Sequence, residues 1–382
     1  MMIRFFATLL ICLFSIFSFG QTLHRYTNRE SKLVGFKDAK DKIVVEAVYD
    51  DAYPFSDGLA LVVKKGKCGY IDKKGTIVIP IKYLEAQHFS EGLAEVSTKK
   101  NKWGYIDKTG AEIIPSKYLM TEPFTDGFAG VRLEDAWGFI DKTGKVVVEI
   151  KYKLVRSFSE GFARVMSDEF KWGFVNRNGK EIVGCVFDDL KPFSEGLAGT
   201  KKGEKWAFID TIGRTLAQQN ADLNTGFDFD ALFADSTATD FKYEAVGNFS
   251  EGMVGVKING YWGYLNRNEM IVVTPKYEDV TNFHEGIGCV CFDNSTMTPS
   301  WAYVDMTGEF ISEQKYESHF DFRDGLVEVK QLYTFKRGFI NKAGVEVIPC
   351  KYEEVRRISN GFAVVLLNGV WTEIDTKGNE VK

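Results

Sequence analysis

The chain has 382 residues, 45% hydrophobic and 26% charged, which excludes a disordered polypeptide. Its formal net charge is −5, with Lys and Glu interspersed and no basic stripe along the sequence, which argues against a nucleic-acid partner. Aromatic residues reach 14%, with 36 Gly and only 8 Pro, a balance that reads as short strands joined by tight turns.

Residues 1–20 place Arg4 before an apolar run, and Ser18 and Gly20 are the small residues that precede Gln21. This is the anatomy of a cleavable secretory leader, or signal peptide. The run from Phe5 to Phe19 is shorter than the roughly 20 residues a membrane helix requires. Cys12 lies inside that run, whereas a lipid-acceptor Cys would stand at the edge of the polar mature chain. The expectation is export, with a periplasmic, secreted or cell-surface location after cleavage near Gly20/Gln21. Residues 21–34 read as a linker or N-terminal cap. No later stretch is apolar enough to span a membrane as a helix.

From Gly35 to the end the chain repeats. A Phe-Ser-Glu-Gly string, or a close variant, places its Gly at 58, 92, 127, 161, 196, 252, 286, 325 and 361. The spacing is about 35 residues except where an insert at 217–240 lengthens one copy. A second string, W-G-(Y/F)-(I/V)-(D/N)-x-x-G, recurs in phase with it. It begins at Trp103-Gly104, Trp137-Gly138, Trp172-Gly173, Trp206, Trp262-Gly263 and Trp301, and an incomplete copy begins at Trp371. Cys68 and Arg337 stand where two copies have lost the Trp, Ala207 and Ala302 replace the Gly, and Glu269 replaces the turn Gly.

Each copy carries three strand signals: the Trp segment, a β-branched segment closing near Pro (Pro80, Pro115), and a segment such as Gly92–Val96. Asp107 to Gly110 has Asp at the first and Gly at the fourth position of a type I turn, where the Asp side chain bonds its own backbone. The reading is an all-β tandem array of about nine three-stranded meanders, 35–382. An open, curved or superhelical arrangement is favoured, with a propeller-like closure as the alternative, because propeller blades usually have four strands and about 40 residues.

These strings resemble the WG-repeat family of exported bacterial proteins, named for the Trp-Gly dipeptide. The resemblance covers essentially the whole mature chain. It implies a β-rich repeat array, usually exported or surface-associated, with no established general activity and no catalytic residues.

The candidate chemistry is sparse. The Asp or Asn after the Ile (Asp72, Asp107, Asp141 and their counterparts) offers one carboxylate per turn, where calcium loops gather several, so turn-making is the favoured role. The acid before Gly (Asp57, Glu91, Asp126, Glu160, Glu195, Glu251, Glu285, Asp324) reads as a solvated turn face, or, stacked in register, as an acidic ridge for a basic partner. The Trp row fits core packing better than a ligand-stacking ladder. Cys68, Cys185, Cys289, Cys291 and Cys350 are an odd, irregular set and read as small buried hydrophobes, not a disulfide framework. The four His show no metal-ligand spacing. The insert at 217–240 has no Lys or Arg, and its Asp228 and Asp230 are candidates for binding a divalent ion, against the plainer reading of an acidic surface loop.

The functional expectation is therefore a non-enzymatic binding scaffold for a protein or cell-envelope polymer, without catalytic, metal or cofactor residues. The alternative is a carbohydrate- or choline-type aromatic binding module.

Overall fold

A computed structural model describes residues 23–216, 241–293, 299–312, 316–317, 319–359 and 361–381. The leader at 1–20 and the acidic insert at 217–240, with Asp228 and Asp230, lie outside the described residues. The described chain forms 35 strands in ten antiparallel sheets of three or four strands each. It divides into two compact units, one running to Phe124 and including Lys142–Gly144, the other comprising Thr125–Asp141 and Lys145–Lys382.

One sheet of the first unit shows the plan. A short edge strand, Glu85–Ala86, pairs with an inner strand, Leu93–Lys99. The inner strand pairs with the tryptophan strand, Lys102–Asp107, and that with an outer strand, Glu112–Tyr118. The tandem all-β reading therefore holds, but the phase differs from the sequence reading. The segment after Phe-Ser-Glu-Gly joins the next Trp segment, because Gly104 faces Val96 and Ile106 faces Ala94 across a tight hairpin. It does not close the sheet of the Trp segment before it. The two-residue edge strand gives several sheets a fourth member; so short a run carries no periodicity to read. One sequence period thus straddles two sheets.

The segment read as a linker or N-terminal cap contains a strand among its described residues. His24–Thr27 pairs antiparallel with Val34–Lys37 and forms the edge of a three-stranded first sheet.

The turn between tryptophan and outer strands follows from its sequence. Gly110 N–H donates to the Asp107 carbonyl at 2.9 Å, and the Asp107 carboxylate accepts from the N–H groups of Thr109 and Ala111. Gly110 has φ +85°, the left-handed region that Gly enters without a Cβ penalty. Asn176, Asn266 and Asn341 accept the same pair of N–H bonds through Oδ1, which is why Asn replaces Asp freely. Glu269, in place of the turn Gly, also takes a positive φ, 57°. Its carboxylate accepts from the Tyr243 hydroxyl and the Lys242 ammonium.

The core is an aromatic series between sheets. In seven copies the second aromatic of the Trp string meets the Phe of the following Phe-Ser-Glu-Gly or its variant. Ring centroids lie 4.8 Å apart for Tyr70–Phe89, 4.9 Å for Tyr105–Phe124 and 4.8 Å for Tyr264–Phe283, inside the range of favourable edge-to-face pairs. Where the ring is Tyr, its hydroxyl donates to a loop carbonyl 17 residues on, as Tyr105 does to Glu122 at 2.8 Å. The first unit's core joins Leu59, Tyr70 and Ile79 to Phe89, Val96 and Ile106, so neighbouring sheets share one interior, as stacked repeats require.

The Gly of Trp-Gly has a steric cause. A Cβ on Gly69, Gly104, Gly138, Gly173, Gly263 or Gly338 would lie 2.4–2.7 Å from atoms of the adjacent outer strand, mostly backbone. Each of these sheets has that strand. The sheets holding Ala207, Ala302 and Thr372 end on the tryptophan strand among the described residues, with only isolated bridges beyond it. Side chains are tolerated at this position where the outer strand does not press on it.

Candidate binding surfaces

The Phe-Ser-Glu-Gly turn is a two-residue hairpin. Ser90 and Leu93 exchange both backbone bonds, and Glu91 and Gly92 have φ of 51° and 87°, a type I′ geometry that normally calls for Asn or Asp before Gly. All eight acids at this position take positive φ, between 51° and 55°. The strain is offset by contacts between copies. In the first unit the Asp57 carboxylate accepts from Gly92 N–H at 2.7 Å. In the second, Glu160 accepts from both Glu195 and Gly196, Glu195 from Gly252, Glu251 from both Glu285 and Gly286, and Glu285 from Gly325. The serines add a parallel row: Ser56 Oγ donates to the Phe89 carbonyl, Ser90 to Phe124, Ser194 to Phe249 and Ser250 to Phe283, at 2.6–2.7 Å.

Cations from the Asp-x-x-Gly turns face this row. Lys108 pairs with Asp57, Lys142 with Glu91, Arg177 with Asp126, Arg267 with Glu195 and Lys342 with Glu285, at 3.1–4.0 Å. Thr211 and Met306 occupy the cation's position opposite Glu160 and Glu251, and these two carboxylates accept two backbone N–H bonds each. Burial works against ionisation of Glu285, but the Lys342 ammonium and the Gly325 N–H outweigh it and hold the carboxyl below its ordinary range. The acids therefore form a bonded, largely neutralised ladder; a bare acidic ridge is not what the fold presents. Ser250→Ala should cost about 1 kcal/mol, since the Phe283 carbonyl then loses its donor. Chemical denaturation followed by Trp fluorescence would show it.

The Trp row is divided. Trp137, Trp206 and Trp301 are buried, Trp103, Trp172 and Trp262 are half-buried, and Trp371 is 40% exposed. Arg156 lies over Trp172 and Lys191 over Trp206, Arg356 lies over Trp371, and His319 stacks on Trp301 at 4.0 Å between centroids. Most of the row is thus engaged by the protein itself. In the copies without Trp, Cys68 is buried and Arg337 pairs with Glu328.

Cys68, Cys289 and Cys291 are buried and Cys185 and Cys350 partly so, all as free thiols. Burial pushes the Cys350 thiol up to about 12 and the Cys185 thiol up to about 11, so neither is an activated nucleophile. Among the described residues no three His, Cys, Asp or Glu side chains gather where a metal ion could be held, and no helix is long and apolar enough to cross a membrane. An open groove of about 380 Å³ lies between the tip Leu133–Ala136 and Ile150–Lys153, with Asp168 at its side. Its lining mixes Glu134 and Asp135 with Lys151 and Lys153.

One group escaped the sequence reading. Glu95, on an inner strand, is 1% exposed, and its Oε2 has no hydrogen-bond partner. Burial pushes its carboxyl up to about 7. Leu61 holds the equivalent place one copy earlier, and no local pattern marks the acid as buried.

No curated protein matches the sequence. Solved structures that it matches share little sequence. A eukaryotic initiation factor is 11% identical, with 95% of each chain covered and a TM-score of 0.44. BamB from Moraxella catarrhalis is 13% identical over 66% of this chain and 79% of that one, with a TM-score of 0.31. PorZ, a surface component of the type-IX secretion system of Porphyromonas gingivalis, is 8% identical over 92% and 61%, with a TM-score of 0.24. The WG containing repeat model matches nine times, at residues 35–68, 69–103, 103–135, 137–169, 172–206, 237–262, 262–294, 301–333 and 338–371. With the repeating Trp-Gly strand, its steric Gly and the Asp turn in register across these segments, the chain belongs to the WG containing repeat family.

Proposed function

We propose that this protein is an exported, non-enzymatic scaffold whose repeat array presents an extended surface to a protein or cell-envelope polymer. The supporting observation is a division of labour among the residues. The recurring polar groups, namely the turn Asp or Asn and the Ser-Glu of the second turn, are engaged in holding the fold. The exposed tips between inner and tryptophan strands differ from copy to copy: Lys-Gly at 65–66, Glu-Asp at 134–135, Asn-Gly-Tyr at 259–261. Variable exposed tips on a constant frame are where binding surfaces reside.

Pull-down from envelope fractions with the full chain should recover a partner that is lost when two adjacent copies are deleted. Recovery of nothing from protein, glycan and peptidoglycan fractions would count against the scaffold. Glycan-array binding abolished by Trp371→Ala would move the reading to an aromatic carbohydrate module.

A further inference from the structure

Lysines that look dispersed along the sequence are brought together by the hairpins of the first unit. The tip Lys64–Lys67 carries Lys64, Lys65 and Lys67, and the next, Lys99–Lys102, carries Lys99, Lys100 and Lys102. Tyr83 pairs with Cys68, which brings Leu84 opposite Lys67 and leaves Lys82 on the same outer strand, on the far side of that pair. Leu84 N–H then donates to the Ser97 carbonyl at 2.8 Å, so the same segment runs directly to the second tip. Tyr118 opposite Trp103 likewise leaves Lys117 on the outer strand one residue from that pair, on the side away from Lys102. All eight lysines are exposed, and among the described residues none of the eight forms an ion pair. Residues 23–124 carry 17 Lys and Arg against 14 Asp and Glu, in a chain whose net charge is −5.

The cations facing the turn ladder are paired with carboxylates. These eight are not, and like charges so arranged repel. Asp50, which accepts the Lys65 backbone N–H, has Leu84 and Leu119 as its counterparts in the next two copies. Stacked sheets lie about 10 Å apart, close to the screening length of roughly 8 Å in physiological salt, so the fields of the two tips add.

We propose that the tips of the first unit dock on an anionic lipid membrane surface. Lysine is a point charge on a flexible stem, suited to a dense field of negative headgroups rather than to a shaped ligand. Clusters of four to eight such residues are what anionic bilayers attract. The two tips hold no aromatic residue, so they offer nothing on which bases or sugar rings could stack. Projecting hairpin tips also meet a plane better than they enclose a strand of polymer. The inference goes beyond the scaffold reading and does not depend on it.

The test is co-sedimentation of the full chain with phosphatidylglycerol-rich vesicles and with pure phosphatidylcholine vesicles. Binding should occur with the first and not the second, and should be lost in high salt. The variant Lys64→Gln/Lys67→Gln/Lys99→Gln/Lys100→Gln should bind on the order of 1,000-fold more weakly. The variant Lys145→Gln/Lys180→Gln/Lys276→Gln/Lys377→Gln, altered in the second unit, should bind as the parent does. Changing the first four to Arg should preserve binding, which keeps the test valid if the Gln variant melts early. No binding to anionic vesicles, equal loss in both Gln variants, or capture of a soluble acidic polysaccharide without vesicle binding would each overturn the proposal. Vesicle binding is read on the purified chain with no protein or glycan partner present, so its failure leaves the pull-down result standing, and failure of the pull-down leaves vesicle binding standing.

Discussion

Gly104→Ala is expected to be among the most damaging single substitutions in the array, costing about 3 kcal/mol or more. The new Cβ would lie 2.4 Å from the Ile114 carbonyl oxygen and 2.6 Å from the Ser116 nitrogen. These are backbone atoms of the paired outer strand, so relief requires moving that strand rather than turning a side chain. The reverse change at the matching position, Ala207→Gly, should cost only about 1 kcal/mol, the backbone entropy of an added Gly, because no outer strand adjoins Ala207 among the described residues. Urea unfolding of the two variants beside the parent measures both. Equal losses would show that close approach of the outer strand is not why this position is Gly.

The second large effect concerns pH. Glu95 titrates near 7 in the folded chain against an ordinary value of 4.5, through burial first. The folded state therefore keeps a proton that the unfolded chain has already released between pH 4.5 and 7. Stability from this group is greatest below about pH 4.5, falls through that window and levels off above pH 7, by a total of about 3 kcal/mol. Glu95→Leu, which copies Leu61 of the preceding repeat, should flatten this slope and leave the variant more stable than the parent at pH 8. Melting curves at pH 4.5, 6 and 8 decide it. A parent whose stability rises between pH 4.5 and 7 in step with the variant would show that Glu95 is ionised and solvated.

Much of the fold was legible because its signals are local. The Asp107–Gly110 turn is written in four consecutive residues, and the alternation at Trp103 and Tyr105 marks one strand. What was not legible depends on partners far along the chain. Whether Gly92–Val96 pairs backward or forward is decided by the tip at Lys100-Asn101 and by burial, and the sequence leaves both open. The acid ladder was harder still. Glu251 is an acid before Gly in a turn, and only the fold brings the N–H groups of Glu285 and Gly286, some 34 residues on, into its reach. The basic tips share this property, since Lys65 and Lys100 are 35 positions apart in the sequence and fall on equivalent tips of successive sheets. Ala207 and Ala302 were visible as departures, yet their cause lay in the neighbouring outer strand, which is not found beside them among the described residues.

The contacts between successive copies also bear on how such a chain changes length. Ser and acid in one turn grip the Phe carbonyl and Gly amide of the next with the same atoms at several joints, so those joints are interchangeable. Excising one whole period brings together two surfaces that already match, whereas excising half a period leaves a strand with no mate. Unequal recombination can therefore lengthen or shorten the array in whole copies, and any cargo that bridges several tips would register the change as a shift in spacing.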